Sequence, residues 1–324
     1  MRIVVTGGTG FIGSRLVSSL CRLGHEVRVI SRKTELDVPG DCFDVVNLDL
    51  VRATSVPDEL LADCSLFFNC AGALSDNSCM RALHVESTRM LVDACKKAAV
   101  ASSRSIHWVQ LSSVGAYGAV RGRADLNRVV TEETLTNPKG EYEVTKTQAD
   151  ELLLSAAEPG VFSCSILRPS NVYGIGMPND SLRQWGRVLQ ANKFFYIGPN
   201  GAISTYVHVD DVVRALLLCG FNEHAKGEIF NISNDCTQEE LVEAMAEALK
   251  VRAPALRVPE LLARATSRIF SRVPGFPLSS TRIDSLVART TYPVDKLATV
   301  LGYSHDRPVK DTISEVILSN NDGR

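Results

Sequence analysis

The chain has 324 residues, 45% of them hydrophobic and 22% charged, with a formal net charge of −2. That is enough apolar material for one large domain or two intimately joined ones, and the near-neutral charge gives no field to gather nucleic acid or an anionic membrane. No apolar run approaches the roughly 18 residues of a membrane span, and the short one after Met1 is too brief for a signal peptide, so a cytoplasmic location is expected.

In chain order, the apolar spacing predicts strands over 2–6, 26–31, 44–47, 65–70, 105–111 and 163–167. Amphipathic helices are predicted between several of them, over 11–23, 79–98 and 142–157. Strand–helix alternation with Val-, Ile- and Leu-rich strands points to a doubly wound, Rossmann-type parallel sheet of the α/β class. Beyond Arg168 the pattern loosens. A helix is predicted over 209–221, one more strand over 228–232, and helices over 238–249 and 260–270. Residues 1–168 with about 208–232 are read as the sheet domain. Residues of about 169–207 and 233–324 are read as a smaller, interleaved lobe for substrate. The nine cysteines form no CxxC pair. They lie in apolar segments (Cys70, Cys95, Cys164, Cys219) and are read as reduced core residues. No cluster of His, Cys and Asp supports a metal site.

The first strand runs into Thr6-Gly7-Gly8-Thr9-Gly10-Phe11-Ile12-Gly13 and then a helix. Gly7 permits a tight turn, Gly10 lets backbone approach a pyrophosphate, and Gly13 lets the helix pack on the sheet. After the second strand come Ser31-Arg32-Lys33, with no acid before Glu35. An acid there would bond a ribose 2′-hydroxyl, whereas a base accepts a 2′-phosphate, so Arg32 favours NADP over NAD. The alternative is a solvated arginine, or one stacked on adenine. After the third strand, Asp49 and Leu50 are placed to touch the adenine.

Two serines, Ser112 and Ser113, stand where the fifth strand should end, the edge at which such sheets bind ligands. On the next helix, Tyr142 and Lys146 share a face at a spacing of four. A cofactor turn, a serine at a strand end and this pair make a proton-transfer set. Lys146 is expected to favour the phenolate and lower the Tyr142 pKa from about 10.

These segments resemble the extended short-chain dehydrogenase/reductases, the branch with nucleotide-sugar epimerases, dehydratases and reductases. The likeness spans nearly the whole chain, through TGGTGFIG at 6–13, NCAG at 69–72, LSSVGAYG at 111–118, YEVTK at 142–146, LRPSNVYG at 167–174, YVHVDDVVRAL at 206–216 and GEIFNIS at 227–233. The resemblance implies catalytic roles for Ser113, Tyr142 and Lys146, Ser113 being the serine four residues before Tyr117. It implies cofactor contacts from Gly7, Gly10, Phe11, Ile12, Asp49, Leu50, Ala71, Tyr142, Lys146, Pro169, Asn171 and Val172. Ser113 and Asn171 would also meet substrate. A homodimer joined through the helices near 79–98 and 142–157 is implied as well.

Departures from the family pattern narrow the reaction. The dehydratases carry an Asp-Glu pair after the serine, and the decarboxylases want a Glu there; this chain has Val114 and Gly115. Neither can move a proton, which leaves 4-epimerisation or reduction and oxidation at one carbon of a nucleotide sugar. The family's Asn is replaced by His84, read as a structural substitute. The Arg that many members carry before the HVDD segment is absent from Ser204-Thr205-Tyr206-Val207-His208. Arg183, Arg187, Arg282 and Arg289 are the candidates to neutralise a diphosphate, with Arg183 and Arg282 carried as substrate contacts. Arg121 and Arg123 could cover the substrate but read more naturally as solvated. Arg264, Arg268 and Arg272, beside Leu261, Ala265 and Ile269, could graze a membrane; the plainer reading puts that apolar stripe on the core. The missing Arg also suits a reductase or dehydrogenase of a small hydrophobic alcohol or ketone, of the hydroxysteroid or flavonoid type. A non-catalytic NADP sensor is disfavoured by the intact Tyr142 and Lys146.

Overall fold

The computed structural model describes residues 1–34, 42–74, 76–118, 127–270 and 279–319. Glu35, Arg121, Arg123 and Arg272 lie outside the described residues. The chain opens with β1 (Arg2–Thr6), α1 (Phe11–Arg22), β2 (Glu26–Ser31), β3 (Phe43–Asn47) and β4 (Cys64–Asn69). Next come α2 (Asn77–Arg81), a π-helical turn (Ala82–Glu86), α3 (Ser87–Ser102) and β5 (Ile106–Leu111). They are followed by β6 (Asn127–Val129), α4 (Glu141–Ala156), β7 (Phe162–Pro169), β8 (Asn171–Tyr173), α5 (Ser181–Gln190), β9 (Tyr196–Ile197), β10 (Ile203–His208) and α6 (Val209–Phe221). The remainder holds β11 (Ile229–Ile232), β12 (Asn234–Thr237), α7 (Gln238–Leu249), β13 (Arg257–Val258), α8 (Glu260–Phe270), α9 (Ser280–Val287), β14 (Arg289–Thr291), α10 (Asp295–Leu301) and α11 (Val309–Ile317).

Seven strands form one sheet in the order β11-β7-β5-β4-β1-β2-β3, every pair parallel. The order reverses at β1 and β4, the switch point at which doubly wound sheets bind dinucleotides. Val5, Val29, Phe68, Val109 and Leu167 pack one face against Leu16 and Leu20 of α1 and Val212 and Leu216 of α6. Val4, Ile30, Phe67, Trp108 and Cys164 pack the other against Leu91 and Cys95 of α3 and Leu153 of α4. Burial on both faces is why these strands read as continuous apolar runs.

Short sheets β12-β10-β8, β13-β9 and β14-β6 lie outside the main one. A third core, with Tyr173, Leu182, Tyr196, Met245 and Ile313, joins α5, α7 and α11. Arg15 of α1 ties that side to the sheet: Nη1 donates to Phe11 O at 3.0 Å and Nη2 to Ile175 O at 2.5 Å.

Two sequence expectations are corrected. Cys21 at the end of α1 and Cys42 at the entry to β3 form a disulfide, their Cα atoms 5.6 Å apart, so these two are not reduced. Cys64, Cys95, Cys164 and Cys219 are free and buried. On α8, Leu261 and Ile269 are 84% and 74% exposed, so the apolar stripe faces solvent. The helix docks instead through Ala263 and Ser267, with Arg264 bonded to Glu260 and to Asp284 of α9. Among the described residues, no helix is long and apolar enough to cross a membrane.

Candidate active site

The glycine turn is built by close approach of backbone. Gly7 has φ +67°, and a Cβ there would lie 2.6 Å from the Cys70 carbonyl just after β4. A Cβ on Gly13 would lie 2.2 Å from Gly7 O. Gly10 is exposed and caps α1 without a side chain, leaving the first N–H groups of the helix to whatever lies before them. An anion is the partner such a terminus favours. The donor set and the Cβ-free cradle therefore fit a dinucleotide pyrophosphate, which Gly7, Gly10, Phe11, Ile12 and Gly13 would hold.

The other predicted cofactor positions border the same edge. Arg32 is exposed beyond β2, and its carbonyl accepts from Asn47 Nδ2 at 3.0 Å. Asp49 uses Oδ1 to accept the Val51 N–H at 3.0 Å, and Leu50 is buried beside it. Ala71 follows β4 and donates its N–H to Thr6 Oγ1. Pro169 ends β7, Val172 is partly buried in β8, and Asn171 donates its amide to Thr205 O at 2.9 Å.

Ser113 leaves β5 in extended geometry, and its Oγ accepts the Gly115 N–H at 3.0 Å. It lies near enough to the Tyr142 hydroxyl to act on its proton. Lys146, one turn further along α4, is 4% exposed and donates to Ala71 O at 3.2 Å and Leu111 O at 2.9 Å. Cofactor cradle, serine, tyrosine and lysine are thus brought together at one edge of the sheet. One expectation about them is reversed. Burial pushes the Tyr142 hydroxyl up to about 12, and Ser113, not Lys146, acts against it. Two backbone carbonyls hold the lysine, so its charge does not set the tyrosine's proton in this geometry. Burial in turn draws Lys146 down to about 8, against the pull of Asp150 and Cys70.

His84 lies in the π-helical turn, buried, its ring edge-on to Tyr142 with centroids 5.7 Å apart. Nε2 accepts the Ala73 N–H at 3.0 Å, which puts the proton on Nδ1, 2.8 Å from Thr145 Oγ1. The imidazole therefore pins the loop after β4 to the helix that carries Tyr142. Burial, with charged Lys146 beside it, lowers His84 to about 3, so it stays neutral and is no base. An unfolded chain takes up this proton near the ordinary value of 6.5, whereas the folded protein refuses it. Stability is therefore lost as pH falls below 6.5. In His84→Gln, the loss between pH 7 and 5.5 should shrink by about 1 kcal/mol. Thermal denaturation of both proteins at the two pH values measures this, and equal losses would remove the assignment.

The predicted diphosphate partners divide. Arg183 and Arg187 of α5 are both engaged by Asp180. Arg289 donates to Asn200 O, and Arg282 is exposed on α9. A missed group lies behind the serine. Asp150, Ser112 and Arg168 form a buried cluster, and Arg168 stacks over Tyr117 at 5.0 Å. The available signal was Asp150 itself, a carboxylate four residues beyond Lys146 on a helical face that must be buried. Among the described residues no group of His, Cys, Asp and Glu could hold a metal.

The model of the NAD dependent epimerase/dehydratase family matches residues 3–233. A dTDP-6-deoxy-L-talose 4-dehydrogenase (NAD(P)(+)) of Kitasatospora kifunensis is 31% identical over 80% of this chain and 82% of its own. A 4-hydroxy-2-methyl-3-oxo-4-farnesyl-3,4-dihydroquinoline-1-oxide ketoreductase of Stigmatella aurantiaca is 24% identical over 83% and 79%. Among solved structures, MoeE5 in complex with UDP-glucose and NAD superposes with a TM-score of 0.73, at 24% identity and 98% coverage of both chains.

Proposed function

Since the chain belongs to the NAD dependent epimerase/dehydratase family of NAD(P)-dependent enzymes, we propose that it reduces the 4-keto group of a nucleotide-diphosphate sugar, with NADPH as its cofactor. The observation that carries this reading is Arg32, exposed just beyond β2 at the sheet edge that holds the glycine cradle. A tyrosine held at about 12 keeps its proton at neutral pH and is ready to give it to a carbonyl oxygen. Arg32 would favour an exchangeable NADPH, the reductant that a ketoreduction consumes, whereas an epimerase needs no external reductant; Tyr142 could serve either. Val114 and Gly115 supply neither acid nor base for elimination of water.

Ser113 and Tyr142 would bond the substrate oxygen together, the serine orienting it and the tyrosine protonating it. Lys146 would secure the cofactor side of the site while bridging the ends of β4 and β5. The bound nicotinamide would supply the hydride. Arg32 would accept the 2′-phosphate, and Arg282 and Asn171 would meet the sugar nucleotide from the lobe of 169–207 and 233–324. Pairing of two copies through α3 and α4 belongs to the same reading.

NADPH oxidation with a dTDP-4-keto-6-deoxyhexose tests the proposal. Turnover with NADPH should exceed that with NADH, and Arg32→Ala should reduce the preference about tenfold or more, as loss of a charge-assisted phosphate contact does. Stoichiometric NAD released on denaturing the pure protein would instead favour the 4-epimerase. The engagement of Arg183 by Asp180 favours a second reading, a small hydrophobic ketone as substrate. Binding of dTDP or UDP alone separates the two, since a hydrophobic site would bind neither.

A further inference from the structure

Tyr142, Lys146 and Asp150 follow one another every four residues along α4 and share one face. Asp150 is 1% exposed. Three donors converge on its Oδ2: Ser112 Oγ at 2.8 Å, Arg168 Nε at 3.1 Å and Arg168 Nη2 at 3.0 Å. Burial raises the Asp150 carboxyl from its ordinary value, and Arg168 ahead of Ser112 acts against that; convergent donors are how such a carboxylate is held ionised. Its Oδ1 is buried and accepts no hydrogen bond from the described residues. An unsatisfied carboxylate oxygen in the interior costs free energy unless charge nearby offsets it. Arg168 of β7 supplies one positive charge, and Lys146, one turn back on the same face, supplies the other.

We propose that Asp150 is a positioning residue for the catalytic helix: its buried carboxylate is the counter-charge that keeps Lys146 protonated at working pH. This rests on reading Lys146 as part of the proton-transfer set. The lysine needs such a partner because nothing else around it is anionic. The Cys70 thiol at the end of β4 is pushed up to about 12 by burial and stays protonated, as does Tyr142 on α4 itself. His84 of the π-helical turn is neutral. From β5, Leu111, Ser112 and Ser113 bring no charge. Behind Asp150 stand Arg168, always charged, and the buried Cys164 thiol, which burial also raises to about 12. Tyr117, under the Arg168 guanidinium, is likewise raised by burial and keeps its proton. Without the carboxylate, Lys146 would share the interior with Arg168 and no anion, and would shed its proton at lower pH. The same carboxylate fixes Ser112, the neighbour of Ser113, so charge and geometry are set from one group.

The measurement is the titration of Lys146 by NMR of protein labelled at lysine Cε, its signal assigned by loss in Lys146→Arg. Wild type should titrate near 8. Asp150→Asn should lower the midpoint by about one pH unit or more. A merely structural aspartate would leave the midpoint in place, and that result overturns the proposal. Should Asp150→Asn fail to fold, Asp150→Ser, smaller and neutral, takes its place: a lowered midpoint supports the proposal, and an unchanged one refutes it. This titration needs no substrate. Failure of the ketoreductase reading would appear separately, as no NADPH oxidation by the wild type with a 4-keto nucleotide sugar.

Discussion

Tyr142→Phe should lose turnover by about 10²–10⁴-fold while leaving the fold and NADPH affinity close to wild type, the range expected when a positioned acid is removed. The ring keeps its place, edge-on to His84. What disappears is the proton that burial holds at about 12. No neighbour can replace it. Lys146 is directed to the carbonyls of Ala71 and Leu111, and His84 gives its Nδ1 proton to Thr145. Steady-state NADPH oxidation, with circular dichroism and a fluorescence titration of cofactor, separates the outcomes. Retained turnover with an intact fold would remove Tyr142, and the reduction chemistry built on it, from the mechanism.

The parts legible in the sequence were those written in local pattern. The strand carrying 2–6 and the helices of α6, α7 and α8 end where apolar periodicity ends. The glycine turn was legible because Gly7 and Gly13 answer to backbone contacts that only glycine allows. The helix of 79–98 was expected as one piece but contains a π-helical turn at His84. The turn is tied down by a bond from His84 to Thr145 on α4, a partner 61 residues away that no local window contains. Strands β8, β10 and β12 went unseen for a similar reason. Each is three to six residues long and takes its place by pairing across the chain, as Tyr206 does with Asn171 and Asn234. The Tyr142–Lys146 spacing was readable, but its electrostatics were not. Helical spacing brings two side chains to one face; which way the lysine turns depends on the carbonyls of Ala71, after β4, and Leu111, at the end of β5.

Gly13→Ala should weaken NADPH binding by about tenfold or more and cost about 1–3 kcal/mol of stability, the usual cost of overpacking a tight site. An alanine in a helix ordinarily stabilises by reducing the freedom of the unfolded chain, by roughly 0.4–1 kcal/mol. Here the contact outweighs that gain. The new Cβ would lie 2.2 Å from Gly7 O and 2.8 Å from Gly7 C. Gly7 has no room to retreat on its other side, where even a Cβ built on it would lie 2.6 Å from the Cys70 backbone just after β4. The turn must therefore shift as a unit, carrying the Gly10 backbone and the N–H groups of α1 away from the pyrophosphate position. Gly140→Ala is the matched control: the cap of α4 has φ −87° and open space around its Cβ position. It should cost under about 1 kcal/mol and leave cofactor affinity unchanged. Isothermal titration with NADPH and thermal denaturation of the two variants test the contrast. Equal affinities would mean that the glycine turn does not hold the pyrophosphate.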